Sequence, residues 1–157
     1  MTDAIASVRA RRVWDSRGLP TVEVEVETTS GFHGRGIAPA GASTGRREAI
    51  ELRDGGDVLG GKDVSRAVAI ANGTICAALR GHDVADQPGV DAILDGLDSD
   101  PQRSTIGGNT TVATSLAVLH AAAASHAAAA PRHRRCRRGS APSAAATRRG
   151  ARSSAIM

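Results

Sequence analysis

The stretch TVEVEVETT, residues 21–29, places valines at alternate positions and glutamates between them. This period of two predicts a β-strand with one buried face and one solvated face. Before it, AIASVRARRVWDSRG (residues 4–18) alternates less regularly, and after it FHGRGIAPA (residues 32–40) gives a weaker strand pattern. Glycine and proline between these runs are turn residues. The sequence therefore predicts a three-stranded antiparallel meander.

Helical spacing of apolar residues replaces this alternation after the loop at residues 40–45. Four predicted helices follow: REAIELRDG (47–55), DVSRAVAIANGTICAALRG (63–81), DQPGVDAILDGLD (86–98) and GGNTTVATSLAVLHAAAASHAAAA (107–130). The second is interrupted at Gly73, and the fourth is alanine-rich with Val112, Leu116 and Leu119 along one face. Three strands followed by about four helices predict an α+β fold.

The last part of the chain differs in composition from the rest. Residues 126–157 contain no acid and eight of the chain's 20 Lys and Arg residues. The remaining twelve positive charges stand against 16 acids, so residues 1–125 carry a net charge of −4. The end segment has too few apolar residues to offset the entropy of ordering. We therefore predict one folded domain over residues 1–125 and a disordered Arg/Ala-rich tail over residues 126–157.

Two explanations of this tail are open. Its arginines could neutralise phosphates of nucleic acid or contact an acidic surface, but no aromatic residue is interleaved for base stacking. The near-exclusive use of arginine over lysine (Lys62 is the only lysine) fits GC-rich coding, and composition favours an out-of-frame or aberrant end.

The sequence shows no pattern for a zinc site, a membrane segment or a secretion signal. The two cysteines, Cys76 and Cys136, form no zinc-type spacing. We expect no membrane segment, because no apolar run approaches ~20 residues, and the N-terminus lacks the pattern of a secretion signal. A cytoplasmic location is expected. Asn72-Gly73-Thr74 and Asn109-Thr110-Thr111 match the glycosylation pattern and are expected to be chance matches.

The loop APAGASTGRRE, residues 38–48, allows two readings. It can be an ordinary glycine-rich connection between a strand and a helix. It can also bind an anion, because Gly41 and Gly45 permit unusual backbone angles while Ser43 and Thr44 supply hydroxyls near a predicted helix start. A second glycine-rich run, GDVLGGKD (residues 56–63), matches the phosphate-binding loop until Asp63 replaces the required hydroxyl, so we interpret it as a turn.

A resemblance favours the binding interpretation of the first loop. VWDSRGLPTVEVEV, GASTGRREAIELRDG, DQPGVDAILDGLD and GGNTTVATSLAVLHAAAA, in this order and spacing, resemble the amino-terminal domain of enolase (phosphopyruvate hydratase). The resemblance covers the chain from about Ile5 to Ala124.

This resemblance implies a magnesium-dependent lyase reaction, the dehydration of 2-phosphoglycerate to phosphoenolpyruvate in glycolysis, by a dimer or higher oligomer. It implies that the loop through Gly41, Ala42, Ser43, Thr44 and Gly45 closes over the substrate and that Ser43 ligates the second Mg²⁺. It also implies that Arg11 and Glu23 form ion pairs with another subunit.

The family's catalytic residues and carboxylate metal ligands belong to a carboxyl-terminal barrel, a fold of about 250 residues. Only thirty-three residues follow Ala124, without an acid or a lysine. We therefore expect no catalytic residue here and a truncated or frame-shifted chain that is inactive alone, with an apolar surface exposed where the barrel would pack. The alternative is a non-catalytic interaction module whose basic tail binds nucleic acid or an acidic surface.

Overall fold

The computed structural model describes residues 3–39, 41 and 45–129. Three strands, β1 (Ile5–Trp14), β2 (Pro20–Thr28) and β3 (His33–Ala38), form an antiparallel sheet in the order β1-β2-β3. The predicted meander is thus confirmed. The helices are α1 (Ser65–Ile70), α2 (Cys76–Leu79), α3 (Gln87–Gly96) and α4 (Gly108–Ala129), with a 3₁₀ turn at Val58–Gly61.

The two faces of the sheet differ as the alternation in β2 predicts. Val22, Val24 and Val26 are fully buried beneath the helices. The other face is charged, because Glu25 lies opposite both Arg9 and Arg35 in the register of the three strands. The Arg35 guanidinium donates a hydrogen bond to Glu25 at 2.6 Å and lowers the pKa of that carboxyl. The chemistry of β2 therefore decides which side of the sheet the helices cover.

Helix α4 packs on β3 through small residues on both elements. Gly34 and Gly36 face the helix, and a Cβ at either position would lie 2.1 Å from the α4 backbone, against Ala117 O or Ala113 O respectively. The helix contributes Ala113, Ala117 and Ala121 to the buried core. Helix and strand therefore approach to backbone contact.

Three of the four larger apolar residues of α4 point outward, whereas the fourth, Val118, is fully buried. Val112, Leu116 and Leu119 are 50%, 36% and 49% exposed; we call them the outer stripe. Alanines with Val118 on the inner face and valine or leucine on the outer face make α4 apolar all round. On length and mean hydropathy alone α4 meets the requirement for a membrane-spanning helix, contrary to the expectation that no run would do so. Its inner face nevertheless packs on the sheet, as in the core helix of a folded domain.

The Gly73 interruption is a π-helical turn, Ala71–Ile75, that joins α1 and α2 into one helical segment. At this turn the Asn72 side chain accepts a hydrogen bond from Ala10 N (2.8 Å) and donates one to Ala10 O (3.1 Å). Since β1 is an edge strand, these bonds pair backbone groups that the sheet leaves open. Asn72 is therefore used structurally, consistent with a chance glycosylation match.

The helix predicted at residues 47–55 is wrong. This segment is not helical: residues 46–48 form a turn, and residues 49–55 have no regular secondary structure. Its backbone groups bond to other segments of the chain, and we call residues 46–53 the extended segment. Ile50 N donates to Gln102 O (2.6 Å), Gly108 N donates to Ile50 O (2.8 Å), and Asp54 N donates to Asp63 O (2.9 Å). Tertiary hydrogen bonds replace the i to i−4 bonds that the local sequence favours.

The predicted boundary at residue 125 lies inside α4, which continues to Ala129. Ser125 is itself tied to the start of the chain, since its hydroxyl donates to the Asp3 carboxylate at 2.9 Å. Residues 130–157, which make up most of the predicted tail, lie outside the described residues.

Candidate functional site

A cleft of about 590 Å³ opens where β3 ends, between the segment at residues 48–53 and the start of α4. Both described ends of the predicted lid loop, Gly41 and Gly45, line it. Its other walls are residues of β3, the following extended segment, the loop before α4 and the first turns of α4: Ala38, Pro39, Glu48, Ala49, Ile50, Glu51, Arg53, Gln102, Gly108, Asn109 and Val112. The structure therefore brings the ends of the loop to one concave surface.

The predicted metal ligand, Ser43, lies with Ala42 and Thr44 outside the described residues. Its role in binding Mg²⁺ stays a prediction. Within residues 3–39, 41 and 45–129, no group of three or more His, Cys, Asp or Glu side chains is arranged to hold a metal ion. The described side chains thus do not fit a complete magnesium site.

Asn109 fixes the floor of the cleft. This side chain is buried at the start of α4, where Oδ1 accepts a hydrogen bond from Leu52 N (3.1 Å) and Nδ2 donates to Leu52 O (3.2 Å). The paired bonds mimic one rung of a β-ladder and hold the extended segment against the helix. A buried amide with both ends bonded is unsuited to glycosylation, which requires a surface asparagine.

Arg53 is the cleft's arginine, but its guanidinium is already used by the protein. Nη1 donates to Pro20 O and, at 2.6 Å, to Lys62 O, while Nη2 pairs with Glu51. These bonds fix the side chain across the end of the sheet. We interpret Arg53 as a structural cation, because binding a phosphate would require it to leave these partners.

The loop before α4, residues 98–106, is built around a buried carboxylate and forms one wall of the cleft. Asp98 accepts hydrogen bonds from Thr105 N (2.8 Å), Ile106 N (3.0 Å) and Asp100 N (3.1 Å). Burial raises the pKa of this carboxyl, but the backbone N–H donors outweigh it and the pKa lies below its ordinary value. We call residues 98–106 the support loop.

The two residues predicted to contact another subunit, Arg11 and Glu23, are cross-strand neighbours on the charged face of the sheet. They form an ion pair with each other within this chain. Glu23 is mostly buried and Arg11 is exposed. Their contact with a second subunit stays a prediction.

Asp63, which spoils the match of residues 56–63 to a phosphate-binding loop, has a structural role. Its carboxylate pairs with Arg12 of β1 at 2.8 Å and accepts bonds from Val64 N (2.8 Å) and Ser65 Oγ (3.0 Å). These contacts, with the Arg12 hydrogen bond as the largest, lower the pKa of Asp63. The segment before it is extended rather than helical, and the run forms a turn leading into α1, as interpreted.

Comparison with known families assigns this fold. The family model described as "Enolase, N-terminal domain" matches residues 5–133. The chain belongs to the enolase family. The predicted recognition and fold class are thereby confirmed, since the match spans the sheet and all four helices.

Curated enolases agree with this assignment. The chain is 50% identical over 122 residues to Enolase 1 of Lactococcus lactis subsp. cremoris (strain SK11) and 51% identical over 122 residues to the enolase of Methanothrix thermoacetophila. The enolase of Streptococcus thermophilus is 49% identical over the same length. In each case the match covers 78% of this chain and 29% of the relative. The chain therefore spans less than a third of the length of these enolases.

Sequence reasoning found the loop but missed the residues that support it. Gln102, Asn109 and Asp98 are polar residues in or beside a predicted helix, where their type and spacing suggest caps and turns. Their partners lie up to 57 residues away in the chain. The signal that could have found them is the short-range pattern Asp98-x-Asp100, which is typical of a loop that binds its own backbone.

Proposed function

We propose that this chain supplies the lid-bearing domain of a magnesium-dependent enolase that dehydrates 2-phosphoglycerate to phosphoenolpyruvate in the cytoplasm. The observation that carries the proposal is the cleft at the end of β3, which both ends of the Gly41–Gly45 loop line. A loop whose two ends line one cleft can cover a ligand bound there.

The domain's part in the reaction is to position the loop and exclude water. When bound, Mg²⁺ supplies charge stabilisation for the anionic intermediate of the reaction. The Gln102 side chain bonds to Arg46 O beside the carboxyl-terminal end of the loop, and in the proposal the metal's carboxylate ligands come from the remainder of the protein. The exposed residues 41 and 45 flank the predicted ligand Ser43.

The outer stripe of α4 supports a second part of the proposal, the surface on which that remainder packs. Val112 lines both the cleft and a smaller groove of about 370 Å³ between α3 and α4, which Leu116 also lines. A contiguous apolar surface of this kind marks an interface. We propose that the rest of the protein covers it.

A chimera tests the proposal. Residues 1–129 of this chain replace the matching segment of Lactococcus lactis Enolase 1, and phosphoenolpyruvate formation is measured with magnesium. We expect turnover by the chimera and none by the 157-residue chain alone. Ser43→Ala should lower kcat of the chimera at least tenfold, whereas Ser99→Ala, an exposed serine in the support loop, should leave it unchanged. A folded chimera with equal activity in both variants contradicts the lid assignment.

The alternative, a non-catalytic module with a basic tail, depends on residues outside the described part of the chain. Deletion of residues 130–157 tests it, because the module predicts salt-sensitive binding of DNA by the full chain and none by the shortened one. On the sheet, Arg11, Arg12 and Arg35 are each paired with a carboxylate, so these three arginines offer the alternative little support.

A further inference from the structure

One residue of the support loop holds the extended segment at two points. Gln102 accepts a hydrogen bond from Ile50 N at its main-chain carbonyl (2.6 Å). Its side-chain Nε2 donates a second bond to Arg46 O (3.1 Å). The two contacts lie four residues apart, so Gln102 fixes both the position and the direction of the chain between them.

Gln102 is itself firmly held. Its backbone N–H donates to Asp100 Oδ1 at 3.0 Å. Next to it, Arg103 has a φ of +55° and donates to Asp98 O at 2.9 Å, while Asp98 binds the backbone on the far side of the loop. A non-glycine residue at positive φ costs free energy and persists where surrounding contacts determine it. The support loop therefore presents the Gln102 side chain from a fixed base.

The attachment of the extended segment weakens towards the lid loop. Leu52 is buried and bonded twice to Asn109. Arg46 and Arg47 are exposed. Among the described residues, the hydrogen bond from Gln102 Nε2 to Arg46 O joins residues 45–47 to a segment outside the Gly45–Glu48 turn. This single side-chain bond is thus the last attachment before the loop.

We propose that Gln102 is a positioning residue for the substrate loop: through the Arg46 carbonyl it holds residues 45–47, at the carboxyl-terminal end of that loop, against the support loop. The inference rests on the proposed function for its catalytic meaning. It does not rest on it for the structural claim, which concerns described residues alone. Gln102 acts through the backbone at Arg46 and contacts no reacting group itself.

Gln102→Glu is the sharpest variant. It keeps the size of the side chain, replaces the N–H donor by a carboxylate oxygen and adds one negative charge, so the side chain can no longer donate to Arg46 O. The main-chain bond to Ile50 N stays possible. Gln87→Glu is the matched control, because the chain's other glutamine makes the same kind of bonds from Nε2, to Asp91 and Ser115, at the α3–α4 contact.

Limited trypsin digestion of the full chain tests the hydrogen bond from Gln102 Nε2 to Arg46 O without any substrate. Trypsin cleaves after the exposed Arg46 and Arg47, and mass spectrometry quantifies the peptide that begins at Glu48 relative to cleavage after the exposed Arg66. We expect this ratio to rise at least fivefold in Gln102→Glu and to stay at the wild-type value in Gln87→Glu. Hydrogen exchange at Ile50 N should remain slow in Gln102→Glu, since general loosening would speed exchange there as well.

An unchanged ratio in Gln102→Glu, or a rise accompanied by fast exchange at Ile50, overturns the proposal. In the enolase chimera the same substitution should lower kcat/KM at least tenfold at an unchanged midpoint of thermal unfolding. If trypsin gives the expected ratio and the chimera shows no loss, Gln102 positions the segment but the catalytic lid assignment fails. The two readouts thus separate the structural inference from the proposed function.

Discussion

The contact between β3 and α4 gives the most demanding prediction, for the substitution Gly36→Ala. The added Cβ would lie 2.1 Å from Ala113 O, 2.7 Å from Ala117 N and 2.9 Å from Leu116 Cβ. Two of these three atoms belong to the helix backbone, so no side-chain rotation can relieve the clash. The helix must move away from the sheet.

The size of the effect follows from that movement. A carbon-to-oxygen contact needs about 3.2 Å or more, so α4 must shift by roughly 1 Å along a contact that includes fully buried Ala113 and Ala117. Overpacking typically costs about 1–3 kcal/mol, and a clash between backbones belongs at the upper end of that range. We expect a loss of about 3 kcal/mol in the free energy of unfolding, or roughly 10 °C in the unfolding midpoint of a domain of this size.

Gly73→Ala is the matched control. Gly73 lies in the π-helical turn and has no heavy atom within 4 Å of the Cβ it would gain. The same substitution should there stabilise the protein by about 0.5–1 kcal/mol, because alanine has the higher helix propensity. Thermal unfolding should be followed by far-UV circular dichroism, since the only tryptophan, Trp14, is 57% exposed and reports poorly on the core. A Gly36→Ala variant that melts within 2 °C of wild type would refute the backbone contact.

Three further predictions concern buried polar groups. Thr110→Val should raise the free energy of unfolding in urea by about 1 kcal/mol, because the buried Thr110 hydroxyl has no hydrogen-bond partner among the described residues. Thr114→Val is the control and should not stabilise the protein, since the Thr114 hydroxyl donates to Thr110 O. Asp98→Asn should lower the free energy of unfolding by about 2 kcal/mol, because it places an amide NH₂ where backbone N–H groups converge. An unchanged urea midpoint would contradict this. Burial raises the pKa of Asp3, but hydrogen bonds from residues 28–30 and Ser125 lower it to about 2. The ionised Asp3 carboxylate therefore stabilises the folded protein fully above the ordinary pKa of 3.8, and this stabilisation disappears as the pH falls towards 2. Asp3→Asn should therefore flatten the fall in stability between about pH 5 and pH 2, and an unchanged slope would count against the assigned pKa.

The sheet could be predicted from sequence because its signal is local. The alternation of Val22, Val24 and Val26 with glutamates fixes both the strand and its buried face. The helix predicted at residues 47–55 failed because the backbone groups of Ile50 and Leu52 form hydrogen bonds to segments more than fifty residues away. Single-sequence patterns carry no information about such partners.

The inner face of α4 was also hidden from a reading based on hydrophobicity. Val112, Leu116 and Leu119 are large apolar residues and suggest the core, yet they are partly exposed, and the buried face of α4 consists mainly of alanines with Val118. The usable signal was a pair of patterns: glycine at every second position of β3, and alanine at every fourth position of α4. Each pattern alone is common in a chain rich in both residues. Only the two patterns together indicate that β3 and α4 pack closely against each other. Of the cleft, only the loop at residues 38–48 could be predicted from sequence, because the walls of the cleft come from four separate segments.

The order of the elements along the chain has a consequence for synthesis on the ribosome. The sheet is complete at Ala38, but the helix that covers its apolar face begins 70 positions later, at Gly108. At about 5–20 residues per second, translation takes roughly 4–14 s to cross that interval. During that time Val22, Val24 and Val26 lack the cover of α4, and the glycines of β3 offer little side-chain bulk against pairing with another nascent chain. The glutamates and arginines of the opposite face are then the groups that keep the unfinished sheet in solution.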